Sequence, residues 1–180
     1  MVILLHGEDT FRSRQKMKQM VDRFKDQRDP QGINIIQVDA SDLESGKLKE
    51  QMFTLPFLSE KRMVVVENFS NSDHENLKEK ILEKVKNNDV PESNVLIFWE
   101  DDNKPKDKLS KNLLKELSQL KYAQKFVFLE GLKLKNWIKD KVQEGGGKIR
   151  AQTLNYMTHH IGNDIWKLDN VIEQLLTYTE

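Results

Sequence analysis

The stretch Val2-Ile3-Leu4-Leu5-His6-Gly7-Glu8-Asp9-Thr10-Phe11 carries an apolar strand into a glycine, and a polar residue then opens a helix. Proteins of the α/β nucleotide-binding kind hold their phosphates at such a turn. A working phosphate loop reads G-x-x-x-x-G-K-[ST], and its backbone N–H groups and lysine neutralise the triphosphate. Here the turn offers two carboxylates, no lysine and no second glycine. Glu8 and Asp9 repel a phosphate, although as acids in a first helical turn they suit the positive end of the helix dipole. The stretch predicts a nucleotide-binding architecture that does not bind nucleotide, and no cofactor is expected.

Outward from this turn, five short apolar runs read as strands: Val2–Leu5, Ile33–Val38, Met63–Glu67, Val95–Trp99 and Phe126–Leu129. Each is nearly continuous rather than alternating, as in a parallel sheet covered on both faces. Helical patterns lie between them. Met17, Met20, Val21 and Phe24 share one face, and a second pattern covers Lys47–Phe53. A third covers Glu75–Val85 with Leu77, Ile81, Leu82 and Val85, and a fourth covers Lys108–Leu120 with Leu109, Leu113, Leu114, Leu117 and Leu120. Strands alternating with helices predict a right-handed, doubly wound α/β fold on a five-stranded parallel sheet.

After Gly131 the pattern changes to helices alone: Leu132–Gln143, Ala151–His160 and Asn163–Thr179, separated by Gly145-Gly146-Gly147 and by Gly162. Glycine at such junctions permits the left-handed backbone that ends a helix. The expected division is an α/β domain over 1–131 and a small three-helix lid over 132–180, packed on the sheet domain. The triple glycine reads as a turn, with a hinge as the alternative. The last helix carries a wide apolar face of Ile165, Leu168, Val171, Ile172, Leu175 and Leu176, and the chain stops directly after it, as at a domain boundary.

With 180 residues, 37% hydrophobic and 32% charged, the chain is lean but globular. Lys+Arg and Asp+Glu both number 29, so bulk charge does not drive it onto DNA or membrane, and only a local basic patch stays open. The absence of cysteine excludes disulfides and thiolate metal sites and fits a reducing cytoplasm. No apolar run approaches the ~20 residues that span a bilayer, and Val2–Leu5 is too short for a signal segment.

No catalytic residues are expected. His159 and His160 are adjacent and point about 100° apart on a helix, His6 and His74 are isolated, and neither a zinc spacing nor a G-x-S-x-G elbow occurs. The acidic strand ends are a different matter. Glu8 and Asp9, Glu67, and Glu100, Asp101 and Asp102 fall on one edge of a parallel sheet, where ligands usually bind. Converging carboxylates could hold Mg²⁺ in a phosphotransfer or receiver-like domain. Equally, strand ends are solvated and collect polar residues anyway, and a receiver needs an aspartate where this chain has Glu67-Asn68.

The stretch Phe53-Thr54-Leu55-Pro56-Phe57-Leu58-Ser59-Glu60-Lys61-Arg62 leaves two placements open. Pro56 stops the preceding helix, and Leu55, Phe57 and Leu58 then crowd a loop. They either tuck into the core beneath it, which is the commoner arrangement, or stand exposed as an anchor that a partner covers.

In order along the chain, these features resemble the delta subunit of bacterial DNA polymerase III, a clamp-loader protein. The resemblance is carried by Leu4–Phe11, by Leu55-Pro56-Phe57-Leu58-Ser59-Glu60-Lys61-Arg62-Met63-Val64-Val65-Val66 and by Val95-Leu96-Ile97-Phe98. Phe126–Leu129 running into Leu134-Lys135-Asn136-Trp137-Ile138 adds to it, as does Gly162-Asn163-Asp164-Ile165-Trp166-Lys167-Leu168 leading to Glu173-Gln174-Leu175-Leu176. It covers the first two of that family's three domains; the helical collar would follow Glu180. The resemblance implies an AAA+-like core with a degenerate nucleotide site. Active AAA+ lids place a γ-phosphate-sensing arginine in the last lid helix, where this chain has Trp166. It also implies a loop that enters an apolar pocket on the sliding clamp and opens the ring, with Leu55, Phe57 and Leu58 as anchors and Pro56 stiffening them. The family more often ends that pair in Phe, whereas this chain has Phe57 and then Leu58. The implied partners are the sliding clamp, the other clamp-loader subunits and primed DNA within the full assembly, with no membrane. The chain would serve a DNA-directed DNA polymerase (a nucleotidyltransferase) as a non-catalytic subunit. A Mg²⁺-dependent phosphotransfer domain built on Glu8, Asp9 and Glu67, and a general interaction domain derived from a P-loop fold, are the alternatives.

Overall fold

Five strands, β1 (Val2–His6), β2 (Ile35–Asp39), β3 (Arg62–Glu67), β4 (Asn94–Glu100) and β5 (Ala123–Lys125), form one sheet in the order β2-β3-β4-β1-β5, with every pairing parallel. They come from a computed structural model that describes residues 1–87, 89–101, 105 and 107–178. Helices α1 (Thr10–Arg28), α2 (Ser45–Phe53), α3 (Glu75–Lys86) and α4 (Lys108–Ser118) connect the strands. Helices α5 (Gly131–Glu144), α6 (Ala151–His160) and α7 (Ile165–Thr177) follow. The expected doubly wound α/β architecture is present.

Strand alternation sorts the core into two layers. Leu4, Val64, Val66, Leu96 and Phe98 face Leu48 and Met52 of α2, Leu77 and Ile81 of α3, and Leu113 and Leu117 of α4. Ile3, Leu5, Met63, Val65, Val95, Ile97 and Trp99 face α1 through Met17 and Phe24, with Met20 and Val21 packed alongside. The central strands β3 and β4 are apolar at consecutive positions because helices cover them on both faces. Each fully buried Leu, Val or Phe contributes roughly 1.5–3 kcal/mol.

The fifth strand is displaced from its expected position. Phe126–Leu129 is not a strand; β5 is Ala123–Lys125, opposite Leu4–His6, with Gln124 and Lys125 exposed. An edge strand needs no continuous apolar run, whereas the apolar quartet after it leaves Val127 and Phe128 largely exposed. The second strand likewise starts at Ile35 rather than Ile33, whose side chain is exposed. Asp9 is the N-cap of α1 rather than a first-turn residue, and the first turn itself holds no acid.

Contacts divide the chain into two compact units, Met1–Phe126 and Val127–Glu180. In the second, Leu134, Ile138 and Val142 of α5, Leu154 and Met157 of α6, and Ile165, Leu168 and Ile172 of α7 are buried. The triple glycine is a turn in which only Gly146 has positive φ (+78°). A Cβ on Gly145 or Gly147 would collide with the methyls of Leu176, so this turn is a packing surface for α7. Among the described residues no helix is long and apolar enough to cross a membrane.

Candidate functional site

The turn between β1 and α1 has little to offer a phosphate. Gly7 sits at φ +123°, and a Cβ there would strike the carbonyl of Phe126. That carbonyl accepts from the Asp9 amide (3.1 Å), and the Phe126 amide donates back to the His6 carbonyl (2.8 Å). The Thr10 amide donates to the Glu8 carbonyl and the Ser13 amide to that of Asp9. The buried Asp9 carboxylate takes the Arg12 amide at 3.0 Å and the Arg12 guanidinium at 2.7 Å. Of the donors that a phosphate loop leaves free at a helix N-terminus, the amides of Asp9, Thr10 and Arg12 are thus engaged within the protein.

The acidic strand ends share one edge of the sheet but are individually occupied. Glu67 pairs with Arg14 at 2.9 Å, and the Arg14 guanidinium lies 3.9 Å over the Trp99 ring. Glu100 is buried and accepts from both the amide (2.9 Å) and the hydroxyl (2.6 Å) of Ser70. Burial dominates its titration and pushes its carboxyl up to about 7, while the Ser70 hydrogen bonds pull the other way. Glu8 is exposed, Asp101 is half-buried, and Asp102 lies outside the described residues. Among the described residues no cluster of three or more His, Asp or Glu side chains could hold a metal. Nearby, Lys78 is buried with its ammonium on the Ser72 carbonyl and the Ser110 hydroxyl (2.8 Å), a burial that the helical stripe of α3 did not foretell. His74 Nε2 lies 2.6 Å from the Ala40 carbonyl, and the His159 and His160 rings meet edge-on.

The loop after α2 is built differently. Leu55, Phe57 and Leu58 are 70%, 60% and 92% exposed, and Pro56 is half-buried between them. Leu58 has φ +50°, a left-handed conformation that a branched side chain adopts at a cost of roughly 1–3 kcal/mol. The backbone beneath is fixed. Asn34, 2% exposed, accepts from the Phe57 amide (2.6 Å) and donates to its carbonyl (2.9 Å). Buried Asn94 donates to the carbonyls of Met52 (2.9 Å) and Thr54 (3.3 Å). Lys61 closes the loop by donating to the Glu92 carbonyl at 2.6 Å. Neither asparagine stands out in the sequence, because a single Asn where a strand begins carries no pattern.

A cavity of about 460 Å³ lies between α1 and the sheet beside this loop, floored by Ile3, Phe24 and Met63. Two cations on its rim are engaged: Lys61 as above, and Arg28 with Glu60 at 3.8 Å. In the second unit Trp166 occupies the second position of α7 and is about half exposed.

A parallel sheet ordered β2-β3-β4-β1-β5, with a glycine turn leading into α1, defines an AAA+-like domain. Solved structures share this fold. The Bacillus subtilis DNA clamp loader delta protein superposes with a TM-score of 0.57 at 16% identity, over 99% of this chain and 53% of that one. Domain III of the Thermotoga maritima replication initiation protein DnaA gives 0.62 at 13%, over 98% and 75%. A DNA polymerase III gamma subunit-related protein of Thermotoga maritima gives 0.51 at 13%, over 96% and 53%. The family model for DNA polymerase III, delta subunit, matches residues 4–126, and the chain belongs to that family. It spans about half the length of the Bacillus subtilis relative. No curated protein matches it.

Proposed function

We propose that this chain is the clamp-gripping part of a clamp-loader delta subunit, which binds and opens the sliding clamp during DNA replication without binding ATP itself. The observation that carries the reading is the exposure of Leu55, Phe57 and Leu58 on a loop whose backbone is tied down. Three large apolar side chains on one tip are costly in water unless a partner covers them. Buried in an apolar pocket, each contributes ~1.5–3 kcal/mol. The loop opens the ring only if it binds the sprung conformation of the clamp better than the closed one. Leu58, the most exposed and the one held at positive φ, is the leading anchor, with Phe57 beside it.

The engaged amides at the β1–α1 turn, the missing lysine and Trp166 in α7 support the absence of ATP binding. No covalent chemistry is assigned to the chain. The other clamp-loader subunits, and primed DNA within the assembly, are its further partners in a cytoplasmic polymerase holoenzyme. The pairing of Asp9 with Arg12 and of Glu67 with Arg14 weighs against a Mg²⁺ phosphotransfer centre.

Titrating the sliding clamp of the same cell into the chain tests this. Saturable binding is expected, and the Phe57→Ala, Leu58→Ala double variant should lose about 100-fold or more in affinity, the sum of two such anchors. Undiminished affinity in that variant contradicts the reading.

A further inference from the structure

The apolar tip stands away from the protein although collapse onto the surface would remove its side chains from water. What holds it out is polar and buried. Asn34 uses nearly all of its hydrogen-bonding capacity. Its amide donates to the Asp29 carboxylate (2.7 Å) and its carbonyl accepts from Met63 at the head of β3 (2.8 Å). Its side chain takes both the N–H and the C=O of Phe57. Exchanging both backbone groups of one residue is what a neighbouring strand does at a hydrogen-bonded pair in an antiparallel ladder. Here one side chain does it for a residue in a loop.

We propose that Asn34 is the positioning residue of the apolar tip, with Asn94 fixing the chain at its other end. This rests on the clamp-gripping reading above. The two asparagines bracket the segment: Asn94 ties the carbonyls of Met52 and Thr54 as the chain leaves α2, and Asn34 ties Phe57 three residues after Thr54. Between them Pro56 has its φ fixed by the ring. Immediately after the second tie, Leu58 takes its left-handed conformation and points its side chain into solvent. A strained residue persists only where its surroundings over-determine it, and the paired bonds to the preceding residue, Phe57, supply that constraint. A tip ordered before it meets its partner spares the ordering cost that a floppy loop would carry on binding. Asn34 therefore acts on affinity through Phe57 and Leu58 without touching the partner.

The test combines Asn34→Ala with hydrogen exchange and clamp titration on the same chain. In the wild type the Phe57 amide, although its residue is exposed, should be protected from exchange. In the variant that protection should fall tenfold or more, while Val65 and Ile97 in the sheet keep theirs. Protection falling equally at all three would mark a general loss of stability and overturn the positioning role. Clamp affinity should fall about tenfold. Unaltered clamp affinity in Asn34→Ala, with binding still abolished by Phe57→Ala and Leu58→Ala, overturns the positioning role and leaves the clamp-gripping reading intact. An unprotected Phe57 amide in the wild type overturns the positioning role without any variant being made. A wild-type chain with no clamp affinity removes the clamp-gripping reading and this inference with it.

Discussion

The Asp9 amide donates to the Phe126 carbonyl across 3.1 Å, and the glycine two residues earlier lies so close to that carbonyl that a Cβ has no room. The segment after β5 is thereby laced to the turn between β1 and α1. The turn keeps the outline of a phosphate site while its donors face the protein.

Adding positive charge at this turn should therefore not create nucleotide binding. Glu8→Lys changes an exposed residue and supplies a cation, yet leaves the amides of Asp9, Thr10 and Arg12 engaged. Calorimetric titration of this variant with Mg·ATP should give no saturable heat. Micromolar binding would show that charge alone had disabled the turn.

Gly7→Ala tests the same junction through stability. The variant meets both a forbidden φ and the Phe126 carbonyl, and strain of this kind costs roughly 2 kcal/mol or more. A clearly lower urea midpoint is expected. An unchanged midpoint would mean that the junction opens freely.

Ser13 lies on α1 beneath the sheet edge and accepts the Trp99 indole N–H at 3.0 Å in a buried setting. Ser13→Ala removes the acceptor and leaves that donor unpaired, which costs about 1–3 kcal/mol. The expected result is a drop in stability of that order, with a change in tryptophan emission as the indole loses its partner. Wild-type stability in the variant would place the indole N–H on another acceptor.

Stability should also carry a pH signature from Glu100. Its carboxyl is raised from 4.5 to about 7 in the fold, chiefly by burial, so the folded state holds its proton more tightly than the unfolded chain. The associated stability is fully present below about 4.5 and is lost as the pH rises through about 7. Urea midpoints should fall between pH 5 and pH 8 in the wild type, and Glu100→Gln should flatten this fall. An identical pH profile in the variant would assign the dependence to other groups.

Much of the α/β unit was legible because its helix-covered strands leave continuous apolar runs and its helices leave stripes at 3.6-residue spacing. Ala123–Lys125 was not, because an edge strand of three residues with two exposed polar side chains has no apolar signature, while Phe126–Leu129 imitates one. The turn at Gly7 was readable from charge and spacing, although Asp9 proved to be a buried cap paired with Arg12. Whether Leu55, Phe57 and Leu58 face solvent was not decidable from the residues, since exposure is set by the rest of the fold. Asn34, Asn94 and Lys78 act through partners 23 to 42 positions away, or in the case of Lys78 up to 32, and such long-range pairs leave no local pattern.

The proposed clamp-gripping role of the tip is tested most directly by titrating the sliding clamp, side by side, against three chains: the wild type, Phe57→Ala with Leu58→Ala, and Tyr122→Ala. Tyr122 is an exposed aromatic next to β5, distant in sequence from the tip, and serves as the control. The account predicts tight binding by the wild type and the control, and about a 100-fold loss or more in the double variant. Equal affinity in all three, or no affinity in any, would contradict it.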